Sequence, residues 1–283
     1  MSPLIINAAL TGMVPMRQDS PYVPIKPREI IADARRCRDA GATVVHLHAR
    51  DDDGTPTYKR EVYREIFEGV REECPELLIS GSCSGRRYGE FSQRSQVLDE
   101  RPDFGSLTLG SLNFPRQASV NAPEMIADLA LAMRERGIVP EWEIFDLGMV
   151  DYAHYLIRQG VLAPPFYANI LLGNLGTLSA SPDNLCAVVR ALPPGTTWSA
   201  AGLGRYQFHV NCLAIVMGGH VRVGLEDALY YDWQTKRHAT NAGLIARVVR
   251  LAKAAGRTIA TPEQARRIIG LPSMANQPLP MAA

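Results

Sequence analysis

Two histidines separated by one residue, His46 and His48, form the most informative short motif of the chain. They stand at the end of an apolar run, residues 43–47, that predicts a β-strand. Side chains alternate between the two faces of a strand, so both imidazoles point the same way, with Cα atoms roughly 6.6 Å apart. Two imidazoles so placed can converge on one ion such as zinc. We favour this metal site over a pair of hydrogen-bonded structural histidines.

A zinc site normally has a third protein ligand and, in enzymes, an open position for water or substrate. Glu226 is the best candidate for this ligand, because it follows the last predicted strand, residues 220–223. A glutamate at the start of a helix is otherwise a typical surface residue that complements the helix dipole. Its assignment therefore depends on whether the fold brings two distant strand ends together.

Eight short apolar runs alternate with longer segments of helical periodicity along the chain. The strands are predicted at residues 4–9, 43–47, 77–80, 104–109, 139–145, 166–172, 197–201 and 220–223. The clearest helices are predicted at residues 27–40, 59–73, 122–137, 152–159 and 240–255, with a further capped helix starting at Thr261.

This alternation predicts a (β/α)8 TIM barrel, with a doubly wound open sheet as the structural alternative. No break in composition marks a boundary, so we expect one domain over residues 1–283, with a C-terminal helical extension at about 261–271. The carboxyl ends of the strands form the active face of such a barrel. His46, His48 and Glu226 can therefore meet there.

The composition is that of an ordinary globular protein. The chain has 283 residues, 46% of them hydrophobic, and a formal net charge of +1, which argues against a nucleic-acid partner. No apolar run reaches the roughly 18 residues of a membrane span. The first residues lack the features of a secretion signal, and five scattered cysteines indicate reduced thiols. We expect a cytoplasmic protein without a membrane partner.

Several segments together resemble the β-keto acid cleavage enzymes, in matching order and over nearly the whole chain. They are Leu10-Thr11-Gly12, His46-Leu47-His48, residues 82–85, residues 110–114, residues 140–143, the Gly202-x-Gly204-Arg205 turn and residues 219–227. This resemblance is more specific than any one of its motifs.

The resemblance implies a zinc-dependent barrel that takes a β-keto acid and acetyl-CoA and releases acetoacetate and a new acyl-CoA. It implies that His46, His48 and Glu226 bind zinc, which acts as a Lewis acid on the keto acid. Asp227 corresponds to the general base of the family and Arg222 to its charged partner. An aspartate beside a guanidinium stays ionised and can remove an acidic α-proton. The resemblance also implies a homo-oligomer, a tetramer.

Further polar residues are assigned to the substrate by the same resemblance. Ser82 and Gly85 correspond to donors that hold the substrate, and Ser106 to a substrate-facing hydroxyl. Glu143 would support the site electrostatically. Thr108 replaces a familiar asparagine, which puts one amide hydrogen bond in doubt. The serines could instead be ordinary loop and interior hydroxyls, and Glu143 a buried ion-pair partner.

The turn formed by Gly202, Gly204 and Arg205 follows the seventh predicted strand. Glycine-rich turns after late barrel strands often expose N–H groups to phosphates, so this turn is a candidate for binding part of CoA. The alternative is an ordinary glycine turn. Cys83 has no partner histidine in view and is not assigned a nucleophilic role.

The residue at position 14, a valine, indicates the charge of the substrate's far end. A family member that acts on an amino-substituted keto acid has a glutamate at this position, and valine cannot pair with an ammonium. We therefore expect an uncharged, short aliphatic tail. A quaternary ammonium held by aromatic faces (Tyr22, Tyr88 or Trp142) is a lesser possibility. Alternatively, Val14 packs the first loop and never meets substrate.

Three other functions remain open. Amidohydrolase-type barrels also use a His-x-His pair, but on the first strand and with histidines at the ends of strands five and six. The other histidines here are His154, His209, His220 and His238, and none ends either strand. A metal-dependent aldolase or CoA lyase would not consume acetyl-CoA. A non-catalytic barrel would bind neither metal nor CoA.

Overall fold

Eight parallel strands close into one barrel in the computed structural model, which describes residues 1–115 and 117–273. The predicted (β/α)8 fold is confirmed. The barrel strands are β1 (Ile6–Ala9), β2 (Val44–Leu47), β3 (Leu78–Gly81), β4 (Phe104–Thr108), β5 (Val139–Ile144), β6 (Tyr167–Leu172), β7 (Thr197–Gly202) and β8 (His220–Val223). Each strand pairs with its neighbours in sequence, and β8 closes on β1. Residues 274–283 of the predicted single domain lie outside the described residues.

Helices follow the strands and cover the outside of the barrel. They are α1 (Pro27–Ala40), α2 (Arg60–Glu73), α3 (Phe91–Arg94), α4 (Pro123–Glu135), α5 (Leu147–Arg158), α6 (Pro182–Ala191), α7 (Gln207–Val216), α8 (Asn241–Ala254) and α9 (Pro262–Ile269). Short hairpins join Leu112–Asn113 to Ala118–Ser119 and Tyr230–Asp232 to Arg237–His238. None of these helices is both long and apolar enough to cross a membrane.

The structure adds helical residues that the periodicity did not predict. Helix α5 begins five residues before the predicted position 152, because the Asp146 side chain accepts a hydrogen bond from the Gly148 N–H and caps it there. Helices α3, α6 and α7 were not predicted. Helix α7 buries the polar residues Gln207 and Asn211, so its buried face does not read as an apolar stripe.

The lower end of the barrel is closed by apolar side chains from several strands. Ile5, Val44, Leu78, Phe104 and Tyr167 are fully buried there, and Ala265 and Ile269 of α9 pack against this layer. The C-terminal helix α9 therefore packs on its own barrel. The interior above this layer is polar, which leaves the carboxyl ends of the strands for chemistry.

Strand β1 lies between β2 and β8 and sets the spacing of the expected metal ligands. Ala9 pairs with His46 on one side, and Asn7 pairs with Arg222 on the other. The ends of the second and eighth strands are therefore separated by a single strand, although almost 180 residues lie between His48 and Glu226.

His220 at the start of β8 is a buried histidine that serves the fold. Its Nδ1 accepts a hydrogen bond from the Ile5 N–H at 3.0 Å, which ties β8 to β1. Burial, with a smaller contribution from Arg257, lowers the pKa of His220 to about 3 from its ordinary 6.5.

We predict that His220 makes folding pH-dependent below pH 6.5. Between pH 6.5 and pH 3 the unfolded chain binds a proton at His220 and the folded chain does not. The free energy of unfolding therefore decreases by about 1.4 kcal/mol for each pH unit below 6.5. His220→Gln removes this titration. Urea unfolding of both proteins should give a stability difference that changes with pH below 6.5. A difference independent of pH would contradict the prediction.

Candidate metal centre and active site

The side chains of His46, His48 and Glu226 meet at the upper end of the barrel. One ligand atom from each lies within 4.8 Å of the others. The Nε2 atoms of His46 and His48 are 3.2 Å apart, and Glu226 Oε1 lies 3.2 Å from His48 Nε2. The structure thus brings together the three residues that the sequence singled out.

The donor set fits a zinc ion. Glu226 Oε2 is buried without a hydrogen-bond partner among the described residues and lies 3.9 Å from His46 Nε2. A buried carboxylate oxygen without a partner is costly unless a cation or donor binds it. Two imidazoles and one carboxylate are a known ligand set of catalytic zinc sites.

Two glycines allow Glu226 to reach the histidines. A Cβ at Gly224 would lie 2.0 Å from the Ala9 carbonyl oxygen, so only glycine lets the chain after β8 pass this close to β1. A Cβ at Gly12 would lie 2.6 Å from Glu226 Cγ, and the backbone there has a φ of +65°. Glycine is the residue that tolerates both the contact and the left-handed conformation.

A second glutamate, Glu141 on β5, contacts the Nδ1 atom of His46, on the side of the ring away from His48. Its Oε2 lies 2.8 Å from His46 Nδ1 and also accepts a hydrogen bond from the Ser80 hydroxyl, while its Oε1 accepts from Asn7 and Asn169, each at 2.6 Å. Because an ionised carboxylate only accepts, the proton of His46 lies on Nδ1 and leaves Nε2 free for a metal.

The pKa of Glu141 agrees with this role. Complete burial alone would raise it, but the charge and hydrogen bond of His46, with the charge of Arg222 and the Ser80 hydroxyl, lower it to about 2. Glu141 therefore remains a carboxylate although it has no exposed surface.

Arg222 on β8 organises the carboxylates beside the metal ligands. Its Nε donates to Asp227 Oδ2 at 3.0 Å, its Nη2 donates to Glu226 Oε1 at 2.8 Å, and its Nη1 lies 3.6 Å from Glu143 Oε1. Burial alone would lower the pKa of Arg222, but the three carboxylates together raise it well above its ordinary value. The guanidinium is therefore permanently charged.

Asp227 is a stronger base than a free aspartate. Burial raises its pKa, Arg222 lowers it, and the neighbouring charge of Glu226 raises it again, with a raised pKa as the result. Asp227 lines the same cavity as His48 and Glu226.

Only some of the residues assigned to substrate binding line the cavity. Ser82 and Thr108 line the cavity, and the Thr108 hydroxyl donates to Glu143 Oε2 at 2.6 Å. Ser106 is buried beside the cavity, where its hydroxyl accepts from the Cys83 N–H at 3.0 Å and supports the loop after β3. Gly85 fits closely against Arg94, which a Cβ would approach to 2.5 Å.

The glycine turn assigned to CoA contributes space rather than donors. Gly204 lines the cavity, but its N–H donates to the Asp227 carbonyl at 2.7 Å and is not free for a phosphate. Gly202 packs against the backbone of Tyr206, and the Arg205 guanidinium donates to the Tyr206 hydroxyl at 2.6 Å. CoA binding by this turn stays a prediction.

A cavity of about 590 Å³ opens above the metal ligands. Its apolar lining includes Val14, Met13, Leu112, Phe114 and Leu175. Val14 is 60% exposed, so it is a cavity residue and not part of the core.

The Cys83 thiol is buried, and burial raises its pKa to about 12, which makes it a poor nucleophile at neutral pH.

The profile of the beta-keto acid cleavage enzyme family matches residues 3–271. The chain belongs to this family. It is 42% identical to the 3-keto-5-aminohexanoate cleavage enzyme of Fusobacterium nucleatum, over 96% of this chain and 99% of the relative. It is 37% identical to the 3-oxoadipate:acetyl-CoA acetyltransferase of Cupriavidus necator, over 96% of each chain.

A solved structure of ObcA in its apo form has the same fold. It superposes with a TM-score of 0.80 and 24% identity over 89% of this chain and 66% of the ObcA chain. As a member of the beta-keto acid cleavage enzymes, the protein is an enzyme of the β-keto acid and acetyl-CoA transferase class, as the names of its relatives describe.

Sequence reasoning missed Glu141, although a signal was present. Glu141 and Glu143 are two residues apart on one strand, so both side chains point into the barrel once one of them does. Arg86, which lines the cavity, was missed as well, because nothing in its loop indicates which way a side chain points.

We predict that Glu141→Gln weakens zinc binding about 10- to 100-fold, as loss of the group behind a metal-bound histidine commonly does. A glutamine that turns its amide toward Nδ1 moves the His46 proton to Nε2, where it blocks the metal. Zinc affinity by competition with a chelator measures the effect. Glu143→Gln, on the same strand, contacts no ligand histidine and should change zinc affinity less than threefold. Equal affinities for wild type and Glu141→Gln would refute this role.

Proposed function

We propose that this enzyme is zinc-dependent and condenses a β-keto acid with acetyl-CoA to give acetoacetate and a new acyl-CoA. The observation that carries this proposal is the meeting of three residues that could hold a metal ion, His46, His48 and Glu226, beside a further carboxylate, Asp227. His48, Glu226 and Asp227 line a single cavity. Family membership supports the reaction class.

His46, His48 and Glu226 would hold the zinc ion. When bound, zinc supplies Lewis-acid stabilisation of the negative charge that develops on the keto acid. Glu141 keeps His46 in the tautomer that can coordinate, and Arg222 keeps Glu226 ionised through the hydrogen bond at 2.8 Å.

Asp227 acts as the general base and removes a proton from the carbon between the ketone and the carboxylate. The carbanion attacks the acetyl carbonyl of acetyl-CoA and releases the CoA thiolate. The thiolate attacks the original ketone, and the bond to the former α-carbon breaks. The fragment that leaves takes up a proton and becomes acetoacetate, while the rest of the substrate departs as acyl-CoA.

The remaining polar residues of the site orient the reactants. Ser82 and Gly85 bind the substrate, Glu143 and Thr108 form a hydrogen-bonded pair beside Arg222, and Ser106 fixes the loop that carries Ser82. Gly202, Gly204 and Arg205 border the path proposed for CoA. A cytoplasmic homotetramer with one barrel domain per chain completes the proposal.

The cavity beside Val14 suits an uncharged part of the substrate. An ammonium there would lose its water without gaining a carboxylate, which costs several kcal/mol. Val14, Met13 and Leu175 offer apolar area to an aliphatic chain instead. We propose that the tail is uncharged where it passes these residues.

The purified protein should carry about one zinc ion per chain, and His46→Ala, His48→Ala or Glu226→Ala should remove both zinc and acetyl-CoA-dependent turnover. Asp227→Asn is the matched control, since it stands next to Glu226 but is not a ligand. It should keep zinc and lose roughly 10²- to 10⁴-fold in turnover. Metal analysis and turnover on a panel of β-keto acids measure both effects. Full zinc and full turnover in His46→Ala would overturn the assignment.

Val14→Glu should shift specificity toward amino-substituted keto acids. A carboxylate at position 14 gives an ammonium its partner, so the ratio of kcat/KM for the amine over its aliphatic analogue should rise about tenfold or more, which corresponds to roughly 1.4 kcal/mol. Val14→Gln is similar in size to the glutamate variant but uncharged and serves as the control. A wild-type enzyme that prefers the amine, or a ratio that ignores the new charge, would show that Val14 does not govern specificity.

A further inference from the structure

A second arginine, Arg86, stands in the wall of the active-site cavity. Its guanidinium carbon lies 3.4 Å from the centre of the Phe114 ring, and both residues line the cavity together with Asp227 and Glu226. The side chain is half-buried. A cation is thus held on an aromatic face close to the reacting groups.

In the part of the chain that the structure describes, the Arg86 guanidinium has no acceptor of its own. Among residues 1–115 and 117–273, no carboxylate or carbonyl accepts a hydrogen bond from it or forms an ion pair with it. The other guanidinium of the cavity wall, Arg222, contacts Glu143, Glu226 and Asp227. The three acidic residues of the cavity wall are therefore already paired with Arg222.

The position of Arg86 is fixed by its surroundings. Its carbonyl accepts a hydrogen bond from the Gln117 side chain, and the preceding Gly85 fits against Arg94. Stacking on Phe114 uses the flat face of the guanidinium and leaves the N–H groups in its plane free to donate. A carboxylate is the ligand that such a planar set of donors fits best.

The surroundings of the Arg86 guanidinium also favour an anion as its partner. Burial lowers the pKa of Arg86, while the charges of Glu226 and Glu143 oppose that shift from a distance. A neutral tail that filled the cavity would remove water from this guanidinium without replacing its hydrogen bonds, which is unfavourable. A carboxylate would replace them.

We propose that Arg86 binds a second carboxylate at the far end of the substrate, so that the preferred class is β-keto dicarboxylic acids. This inference rests on the proposed function and deepens it. The uncharged part of the tail passes Val14 and Met13, and its end carries a negative charge to Arg86. The phosphates of CoA are a weaker candidate, because the pantetheine arm separates them from the thioester that must approach Asp227.

The test compares two substrates that differ only at the far end, a six-carbon 3-oxo dicarboxylic acid and the six-carbon 3-oxo monoacid. With saturating acetyl-CoA, the wild-type kcat/KM should favour the diacid by about tenfold or more. Arg86→Gln should reduce this ratio about 10- to 100-fold, because only the diacid loses a charge-assisted partner. Arg86→Lys should retain part of the preference, since it keeps the charge without the planar donors.

Arg87→Gln is the matched control. This neighbouring arginine is exposed and does not line the cavity, so the ratio should stay at its wild-type value. A wild-type preference for the monoacid, or an unchanged ratio in Arg86→Gln, would overturn the proposal. A rise in the KM for acetyl-CoA with an unchanged ratio would assign Arg86 to the CoA phosphates and would overturn it equally.

Failure of the proposed function would look different. In that case neither substrate would be converted with acetyl-CoA, in any variant. Calorimetric binding of the diacid to the zinc-loaded protein would then still test Arg86. Tighter binding of the diacid than of the monoacid in wild type, lost in Arg86→Gln, supports the carboxylate site. Equal binding of both acids contradicts it.

Discussion

The site depends on the ion pairs that the buried guanidinium of Arg222 forms with three carboxylates. Asp227, Glu226 and Glu143 converge in a space where unpaired carboxylates would repel one another and take up protons. Arg222 compensates them from the centre, at 2.8 to 3.6 Å. Its removal would leave three buried acids with little to balance them, a far larger disturbance than the loss of a surface ion pair.

Because Arg222 lies on β8, the barrel itself fixes the position of this charge. Asn7 of the neighbouring β1 pairs in register with Arg222, and the Asn7 side chain donates to Glu141 on the opposite side of the interior. Hydrogen bonds thus run from β1 across the interior to β5 and on to His46. The proposed metal ligands and the proposed base lie on strands or directly after them, which suits a site that must place atoms within a fraction of an ångström.

Much of this arrangement could be predicted from the sequence. The alternation of apolar runs predicted the barrel, and the His46-Leu47-His48 spacing predicted two candidate metal ligands, because both patterns are local. Glu226 became a candidate from its place after the last predicted strand, whereas Asp227 was assigned only through the family resemblance. Helix α7 escaped prediction because the polar residues Gln207 and Asn211 interrupt the apolar residues of its buried face. The Asn211 side chain donates hydrogen bonds to the carbonyls of Ala200 and Arg222 there.

Glu141 and Arg86 could not be assigned from sequence for a related reason. The role of each is defined by what stands opposite: His46 and two asparagines for Glu141, and Phe114 with an absence of acceptors in the described chain for Arg86. Long-range neighbours of this kind are set by packing. Residue type and spacing indicate a charge at such positions but not its partner.

Carbon-labelled acetyl-CoA tests the central claim most directly. If the enzyme joins the acetyl group to the α-carbon of the keto acid before cleavage, both acetyl carbons must appear in acetoacetate, and the new acyl-CoA must carry no label in its acyl group. Mass spectrometry of the two products after one turnover gives the answer. Label that remains in the CoA thioester, or cleavage of the keto acid without consumption of acetyl-CoA, would contradict the account and indicate a lyase or aldolase instead.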